Sequence, residues 1–476
     1  MVNEQYRRNI YIVTTVCIIL FGFLVRLKLF LDNPSFWFDE SALGFNVTQL
    51  SYGKLFGILH LQQVAPPLFL VTSKFITDIF GISDMALHLI PFAIGSLSMV
   101  IFLLTLRQLF ENKLTIITGL ILFCFNTQLI KYSVEFKPYI LEVFTTCLLL
   151  YVFNRFNFNW SDKKLFTTGI FLAVLPWFSF VSAILIGIYF IIIFSKKYFK
   201  KWIITVFPYC ISALFILIYY LQIKHFYSGF MLDFFTNDFF NIKEFLIQLT
   251  VCFSYLFGIN YAFIPLILFL TSIILCLKEK KYVLLSVFSL ISFIIFVILS
   301  FLKIYPFYGR FTIFIYPIFL IMNLILVNKC FNTQKIFPKF IASFYIIFLL
   351  FPTFLYFQKI QAEAYTKRSC ARELTSDMAS KIKPDDIIIV DTLSTPDFLY
   401  YGMLYNFKNK VFMNIENKKS VILYKTERSK NLPIEKGKKY WIYTPWSSVV
   451  YDDLKYEYLN TCKYGGRILY INGDKQ

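Results

Sequence analysis

The sequence predicts an α-helical protein with many transmembrane helices, followed by a small α/β domain outside the membrane. Of its 476 residues, 58% are hydrophobic and only 16% are charged, whereas soluble domains are about 45–50% apolar and about 25% charged. Too few charges remain to cover a surface that faces water. Apolar runs of about 20 residues, the length needed to cross a bilayer, also recur along the chain. A polytopic membrane protein accounts for both observations.

Run length predicts about eleven membrane-spanning helices. A single kinked helix around Pro176 would invert the chain downstream and break the charge pattern, so two helices are predicted there. The spans are 10–31, 85–106, 113–130, 138–154, 164–177, 179–195, 203–222, 257–277, 283–302, 310–328 and 340–357. The first run lacks a cleavage site for a signal peptide and is predicted to be a retained helix.

The basic residues predict the orientation of these helices. A net charge of +19 suits either nucleic-acid binding or orientation of helices against the cytoplasmic face. Lysine and arginine lie in every second short loop rather than in a basic domain, so they indicate topology. Those loops carry Arg7 and Arg8, Arg107 and Lys113, Arg155 and Lys163, Lys196 to Lys201, Lys278 to Lys281, and Lys329 to Lys339. The N-terminus is therefore expected in the cytoplasm.

Two domains are expected: a transmembrane domain, 1–357, and an extracytoplasmic α/β domain, 358–476. Within the first, the long outer loop 32–84 contains amphipathic stretches that suit helices lying in the membrane interface. The aromatic and acidic stretch HFYSGFMLDFFTNDFF of loop 223–256 is predicted on the membrane surface too. In the tail, QAEAYTKRSCARELTSDMASKIK predicts an amphipathic helix, and DDIIIVDT, KKYWIYTPW and GRILYING predict strands.

The nine cysteines are scattered singly and show no metal-binding spacing. Most lie inside apolar runs. Cys370 and Cys462 lie in the tail, and if the tail is exported they could form a disulfide.

Two adjacent carboxylates, Asp39 and Glu40, follow two aromatic residues in the stretch SFWFDESAL, residues 35–43. Partial desolvation at a membrane–water edge makes a carboxylate a stronger base, and ionisable groups at membrane depth generally indicate function. Acids in the first turn of a helix also stabilise its positive end. Both interpretations stay open on the spacing alone.

The stretch KYSVEFKPY, residues 131–139, places Lys131 and Lys137 on the outer side, together with Glu135, Tyr132 and Tyr139. Outer lysines run against the usual charge bias, and a phosphate at headgroup level is a natural partner for them. Contact with lipid headgroups and a tyrosine belt at the interface is the competing explanation.

A second outer stretch, KIYPFYGRF, carries Lys303 and Arg310, and Arg26 and Lys28 lie near the outer end of the first helix. Taken singly, each of these residues could simply extend its long side chain so that the charged end reaches the membrane–water interface. Together, several outer cations facing two outer acids would form a site for an anionic lipid head and a base.

Metal binding is an open option. The three histidines, His60, His88 and His225, all lie in outer regions, and Asp84 and His88 are spaced so that they could pair on a helix. No standard ligand spacing is present, so no cofactor is assigned, although a divalent metal held partly by Glu40 is kept as an alternative.

These motifs, taken in order, resemble the GT-C glycosyltransferases, in particular the glycosyltransferase family 39 branch of bacterial protein O-mannosyltransferases and lipid A aminoarabinose transferases. The likeness covers nearly the whole chain. The matching residues are Trp37-Phe38-Asp39-Glu40 preceded by Arg26, then Pro66-Pro67-Leu68, then GISDMALHLIP, then Tyr132, Ser133, Glu135, Lys137 and Tyr139, then Gly309-Arg310 before Pro317, and PDDIIIVDT in the tail. The chain departs from the family where Asp84 and His88 replace a usual Glu-x-x-Leu-Arg, and at Glu142, where relatives more often have Asp.

The resemblance implies an enzyme that moves a sugar from a polyprenyl-phosphate donor to a hydroxyl of an envelope glycolipid, polysaccharide or protein, with inversion. Asp39 would be the base, and Glu40 would orient it, bind the acceptor or strengthen it as a base through like-charge proximity. The remaining assignments are donor-phosphate binding by Lys137, Arg310, Arg26 and Tyr139, and substrate binding by Glu135, Tyr132 and Pro67. Membrane lipids are expected partners and nucleic acid is not; the expected location is the bacterial plasma membrane.

Two other classes of function stay open. A lipid flippase or transporter would also need many helices and outer cations, but such proteins usually show internal repeats and polar residues at the membrane midplane, and here the charges cluster at the outer edge. A non-catalytic subunit of an envelope-assembly pathway could use the tail for partner binding.

Overall fold

A computed structural model of the chain describes residues 2–223, 242–257, 263–361, 369–390, 394–407, 410–412, 436–445, 456–461 and 467–472. The stretch HFYSGFMLDFFTNDFF, His225 and Cys462 lie outside these residues, and so do the predictions made for them. The described residues are mostly α-helical, with one sheet near the C-terminus. This confirms the predicted fold class.

The α-helices are labelled in chain order. They are α1 (Val2–Leu31), α2 (Phe38–Gln49), α3 (Pro67–Phe80), α4 (Asp84–Leu109), α5 (Lys113–Cys124), α6 (Thr127–Tyr132), α7 (Tyr139–Arg155), α8 (Asp162–Val174), α9 (Phe180–Ile192), α10 (Phe199–Ile223), α11 (Ile242–Phe257), α12 (Phe263–Cys276), α13 (Val283–Phe301), α14 (Tyr316–Asn332), α15 (Ile336–Gln361), α16 (Ala371–Lys381) and α17 (Thr395–Tyr405). A 3-10 segment, Gly309–Ile315, leads directly into α14.

Five helical stretches among the described residues are long and apolar enough to cross a membrane: Glu4–Leu31, Asp84–Leu109, Lys196–Ile223, Val283–Phe301 and Gly309–Asn332. Shorter apolar helices are Lys113–Cys124, Phe180–Ile192, Phe245–Phe257, Ile264–Cys276 and Ile336–Phe351. The chain is therefore a multi-pass membrane protein. The count of eleven spans and the orientation of the termini stay predictions.

The predicted span 113–130 is interrupted. Helix α5 ends at Cys124, and α6 begins after Asn126, whose side-chain oxygen accepts from the backbone N–H of Gln128 at 3.0 Å and of Leu129 at 3.1 Å. Asparagine is a favoured residue at this capping position because it satisfies backbone donors that a helix start leaves unpaired. The apolar run therefore forms two helices instead of one.

The predicted break at Pro176 is confirmed. Pro176 lies in a 3-10 turn between α8 and α9, and Ser179 caps the start of α9. Helix α8 packs closely on α10, since a Cβ atom added to Gly169 would clash with the Thr205 carbonyl oxygen. Helix α11 is an addition to the sequence prediction, which treated residues 223–256 as one loop.

The chain divides into two compact units. The first unit contains Met1–Lys28, Ala65–Thr72 and His88–Gln361, and the second contains Leu29–Val64, Ser73–Leu87 and Ala362–Gln476. Most of the first outer loop therefore clusters with the C-terminal part of the chain. The domain limits 1–357 and 358–476 stay a prediction.

The second unit contains one sheet, and its strands are β1 (Ile387–Val390), β2 (Lys410–Phe412), β3 (Lys439–Thr444), β4 (Tyr456–Thr461) and β5 (Arg467–Asn472). Their order in the sheet is β2-β1-β3-β5-β4. Strand β1 is parallel to β2 and β3, and β5 is antiparallel to β3 and β4. The continuous buried run of β1 is typical of a parallel strand covered on both faces. The three predicted strands are present as β1, β3 and β5.

Helix α16 is the described part of the predicted amphipathic helix, and it packs on one face of the sheet. Its residues Leu374 and Met378 share a buried cluster with Ile388 and Trp441. Cys370, at the start of α16, belongs to the same cluster and is disulfide-bonded.

Candidate active site

The two predicted acids lie in the first turn of α2 but in different environments. The Glu40 side chain turns back towards the helix start, where its Oε2 accepts from the backbone N–H of Trp37 at 3.4 Å, and it is 5% exposed. Asp39 is half-buried. The helix-start interpretation is thus observed for Glu40, and Asp39 is the more accessible carboxylate of the pair.

A buried hydrogen-bond network holds the backbone just before these acids. The Tyr401 hydroxyl accepts from the backbone N–H of Phe36 at 2.7 Å and donates to Asp84 Oδ2 at 2.6 Å. Arg372 donates to the same Asp84 oxygen at 3.0 Å and to the Asn33 carbonyl oxygen at 2.7 Å. Three distant parts of the sequence therefore meet at Asp84.

The electrostatics of this network favour its hydrogen bonds. Burial raises the pKa of Tyr401 well above its ordinary value, and the negative charge of Asp84 raises it further, so the phenol stays a proton donor. Burial is the largest single influence and lowers the pKa of Arg372, but Asp84, Tyr401 and Glu373 together more than offset it, so the pKa is raised. The arginine therefore stays charged beside its carboxylate partner.

Helices α2 and α17 also pack closely. The ring of Phe36 stacks on Tyr400 with centroids 5.0 Å apart, and the Ser41 hydroxyl donates to the Asp397 carboxylate. A Cβ atom added to Gly44 would lie 3.0 Å from the Tyr400 ring and 3.1 Å from the Phe36 ring. A glycine at this position lets the two helices approach each other.

In the first unit, Arg310 and Tyr139 lie together as the motifs suggested. The guanidinium carbon of Arg310 is 5.8 Å from the centre of the Tyr139 ring and 5.3 Å from that of Phe311. Tyr139 packs edge-on against Tyr132 at 5.1 Å. Gly309, just before the arginine, has φ +47°, a backbone conformation that favours glycine. We call Arg310, Tyr139, Phe311 and Tyr132 the Arg310 cluster.

Lys137 and Glu135 are adjacent to this cluster in the chain, and both side chains are buried. The Lys137 backbone N–H donates to the Glu135 carbonyl oxygen at 2.7 Å. Helix α7 begins two residues after Lys137, at Tyr139, with Pro138 at the capping position. A lysine and a ring of the Arg310 cluster are thus presented from the same helix start.

Arg26 is fully buried and bonded to the protein. Its Nε donates to the Ser133 hydroxyl at 3.0 Å, and its Nη1 donates to the carbonyl oxygens of Gly22 at 3.0 Å and Cys124 at 2.8 Å. This arginine connects α1 to the end of α5 and to the KYSVEFKPY segment. Among the described residues its Nη2 is buried without a hydrogen-bond partner, and its assignment to phosphate binding stays a prediction.

Three residues beside the Arg310 cluster, Tyr255, Tyr305 and Glu142, have no role predicted from the sequence. The hydroxyls of Tyr132 and Tyr255 share a hydrogen bond. The Tyr305 hydroxyl donates to the Phe311 carbonyl oxygen at 3.0 Å and lies 3.5 Å from Glu142 Oε2. A carboxylate in the first turn of an apolar helix was the available signal for Glu142. Tyr305 lies in the outer stretch KIYPFYGRF, beside Lys303 and Arg310, whereas no sequence pattern marked Tyr255.

Pro67 is the first residue of α3 and is buried.

Within the described residues, no three His, Cys, Asp or Glu side chains are grouped so that they could hold a metal ion. A divalent metal held partly by Glu40 stays a prediction from the sequence.

The chain is similar to one known protein family and to several solved structures. Residues 64–223 match the family model described as dolichyl-phosphate-mannose-protein mannosyltransferase. The structure is similar to ArnT from Cupriavidus metallidurans in the apo state, with TM-score 0.59, 10% identity and 98% of each chain covered. The chain has the GT-C fold. ArnT bound to undecaprenyl phosphate gives TM-score 0.56 and 10% identity, covering 97% of this chain and 98% of that one.

A more distant similarity links this GT-C protein to AglB, the archaeal oligosaccharyltransferase from Archaeoglobus fulgidus, in complex with an inhibitory peptide and a dolichol-phosphate. The TM-score is 0.50 at 11% identity, and 81% of this chain covers 63% of AglB, less than two thirds of its length. No curated protein sequence matches this chain significantly. The resemblance to the GT-C superfamily inferred from the ordered motifs is confirmed at the level of the fold.

Proposed function

We propose that this GT-C protein is a membrane glycosyltransferase that moves a sugar from a polyprenyl-phosphate donor to a hydroxyl of an envelope acceptor. The family-model match over residues 64–223 supports this class of reaction. ArnT was solved with undecaprenyl phosphate and AglB with a dolichol-phosphate, which supports a lipid-linked donor here. The reaction would take place on the extracytoplasmic face of the bacterial plasma membrane, with the N-terminus in the cytoplasm and the C-terminal domain outside.

The observation that carries the proposal is the contrast between the two acids of α2. Glu40 is buried and turned towards the start of its own helix, while Asp39 is more accessible. A hydroxyl is a weak nucleophile unless its proton is removed as it attacks, and a positioned carboxylate removes it. Asp39 therefore accepts the acceptor proton, and Glu40 orients the turn that presents Asp39.

The leaving group needs a different kind of help. As the acceptor oxygen bonds to the anomeric carbon, the bond from that carbon to the phosphate oxygen breaks, and polyprenyl phosphate leaves as an anion. Fixed positive charge stabilises the charge that develops there. Arg310, held against the rings of Tyr139 and Phe311, and Lys137 supply it. Attack opposite the phosphate inverts the anomeric centre.

The other assigned residues take supporting roles. Arg26 holds the segment that carries Lys137 through its bond to Ser133. Tyr132, Glu135 and Pro67 contact the substrates, with Tyr132 placed by its packing against Tyr139. Residues 1–357 would form a transmembrane domain that holds the prenyl chain, and residues 358–476 would form an extracytoplasmic α/β domain.

An assay with purified protein and a radiolabelled polyprenyl-phosphate sugar tests the reaction class. An envelope extract supplies the hydroxyl acceptors. Release of free polyprenyl phosphate together with labelled acceptor is the expected result. Movement of the intact donor across liposomes without cleavage would instead identify a lipid transporter and contradict the proposal.

A further inference from the structure

We infer that α17 of the C-terminal domain positions the catalytic turn of α2, and that Tyr401 and Asp397 are the positioning residues. The inference rests on the proposed function of Asp39. Tyr401 and Asp397 are four residues apart and therefore lie on the same face of α17. They bond Phe36 and Ser41, which stand on either side of the two acids.

The first contact fixes the backbone before the turn. The Tyr401 hydroxyl accepts from the Phe36 N–H at 2.7 Å and lies 3.3 Å from the Ser35 hydroxyl. All three residues are buried, and the Phe36 side chain has no exposed surface. Because water is excluded here, loss of the phenol oxygen would leave a buried backbone donor without this acceptor, which destabilises this position of the backbone.

The second contact fixes the helix just after the acids. Ser41 is fully buried and donates to the carboxylate of Asp397, which is fully buried as well. One turn further along α2, Gly44 lies against the ring of Tyr400. The residues on both sides of Asp39 and Glu40 are thus held by one helix, α17.

Arg372 and Asp84 secure the tyrosine in turn. Asp84 accepts from both Tyr401 and Arg372, and the Arg372 backbone N–H donates to the Ser35 hydroxyl at 3.1 Å. Arg372 also donates to the carbonyl oxygen of Asn33, where the chain turns with φ +43°. The backbone that leads into α2 is therefore bonded to C-terminal residues at successive positions, an arrangement that fixes the first turn of α2 against α16 and α17.

The loss of a positioning residue is expected to change kcat and KM differently. A misplacement of about 1 Å at a reacting group can cost about 100-fold in rate, and a defect confined to the transition state lowers kcat without changing the KM of the donor. Tyr401→Phe is the sharpest variant, since it removes one oxygen and keeps the ring. Tyr458→Phe is the matched control, because that hydroxyl also bonds two partners, Asp377 and Lys381, at 2.7 Å each.

Two measurements on the full-length protein test the inference. Hydrogen exchange of peptides covering residues 33–41 should accelerate in Tyr401→Phe and stay unchanged in Tyr458→Phe. In the transfer assay, Tyr401→Phe should lower kcat by about 10- to 100-fold with donor KM within about twofold. Asp397→Asn should act in the same direction, and a Tyr401→Phe/Asp39→Asn double variant should lose no more than Asp39→Asn alone.

The outcomes separate the two claims. Unchanged exchange over 33–41 together with normal kcat in Tyr401→Phe would overturn the positioning role, even if Asp39→Asn is inactive and the proposed function stands. An active Asp39→Asn variant would overturn the proposed base, whatever Tyr401→Phe does. Equal losses in Tyr401→Phe and Tyr458→Phe would reduce the effect to general stability and also overturn the inference.

Discussion

Arg310 lies with its guanidinium carbon 5.8 Å from the centre of the Tyr139 ring, although the two residues belong to different helical segments of the first unit. Tyr139 begins α7, and Arg310 lies in the 3-10 segment that leads into α14. A planar cation against an aromatic face keeps its charge while losing freedom to rotate. This relationship gives the proposed phosphate site a preorganised charge.

Arg310→Ala should weaken binding of the lipid-linked donor by about 10- to 100-fold, because charge-assisted bonds contribute about 1.5–3 kcal/mol. Arg310→Lys should recover part of this loss, since it keeps the charge but not the flat contact with the ring. Donor affinity measured in detergent micelles is the readout. Lys303→Ala is the control, because Lys303 is an exposed cation of the same outer stretch; an equal loss in both variants would contradict a specific phosphate site.

Arg26→Ala should destabilise the protein more than it changes donor affinity. Its guanidinium is fully buried and bonds Ser133, Gly22 and Cys124, and bonds from a charged group contribute about 1.5–3 kcal/mol. The measurement is the thermal unfolding midpoint, with the exposed Arg107→Ala as control. Reduced donor affinity without reduced stability would support direct phosphate binding by Arg26 instead.

Gly44→Ala should lower both stability and transfer activity, because the added methyl group would lie 3.0 Å from the Tyr400 ring and 3.1 Å from the Phe36 ring. Overpacking of a filled site typically costs about 1–3 kcal/mol. Gly53→Ala is the matched control, since a methyl group added to Gly53 would have no neighbouring atom within 4 Å. Equal behaviour of the two variants in unfolding and activity assays would argue against close packing of α2 on α17.

The stability of the protein should depend on Tyr401 at high pH. Burial raises the pKa of this phenol above the ordinary value of 10.0, so the unfolded chain releases the proton first. The contribution of neutral Tyr401 to the free energy of unfolding is therefore complete below about pH 10. It falls as pH rises above this value, by about 1.4 kcal/mol for each pH unit until the folded-state pKa is reached. Wild type should lose stability more steeply than Tyr401→Phe above pH 10 in denaturation measured across this range; parallel curves would contradict the shift.

The helical fold class could be predicted from apolar run length, because a helix that crosses a membrane needs about 20 apolar residues. Charge alternation predicts the orientation of the helices, which stays a prediction. The break after Cys124 was missed, since a short capped turn inside an apolar run leaves only Asn126 as a signal. Helix α11 was missed because the acidic and aromatic residues before it suggested one long loop.

The candidate site was predicted in part. The proximity of Arg310 and Tyr139 agrees with the order of the motifs. The partners of Asp84 could not be found, because Arg372 is 288 residues away and Tyr401 is 317 residues away, and no periodic pattern connects such distant positions. Pairing across that distance is decided by tertiary packing.

The central claim is that Asp39 removes the acceptor proton, and the most direct measurement is sugar transfer from a radiolabelled polyprenyl-phosphate donor by Asp39→Asn. Asparagine keeps the size of the side chain and its place in α2 but cannot accept the proton, so donor binding should persist while transfer falls by at least about 100-fold. Near-normal transfer by folded Asp39→Asn protein would contradict the account.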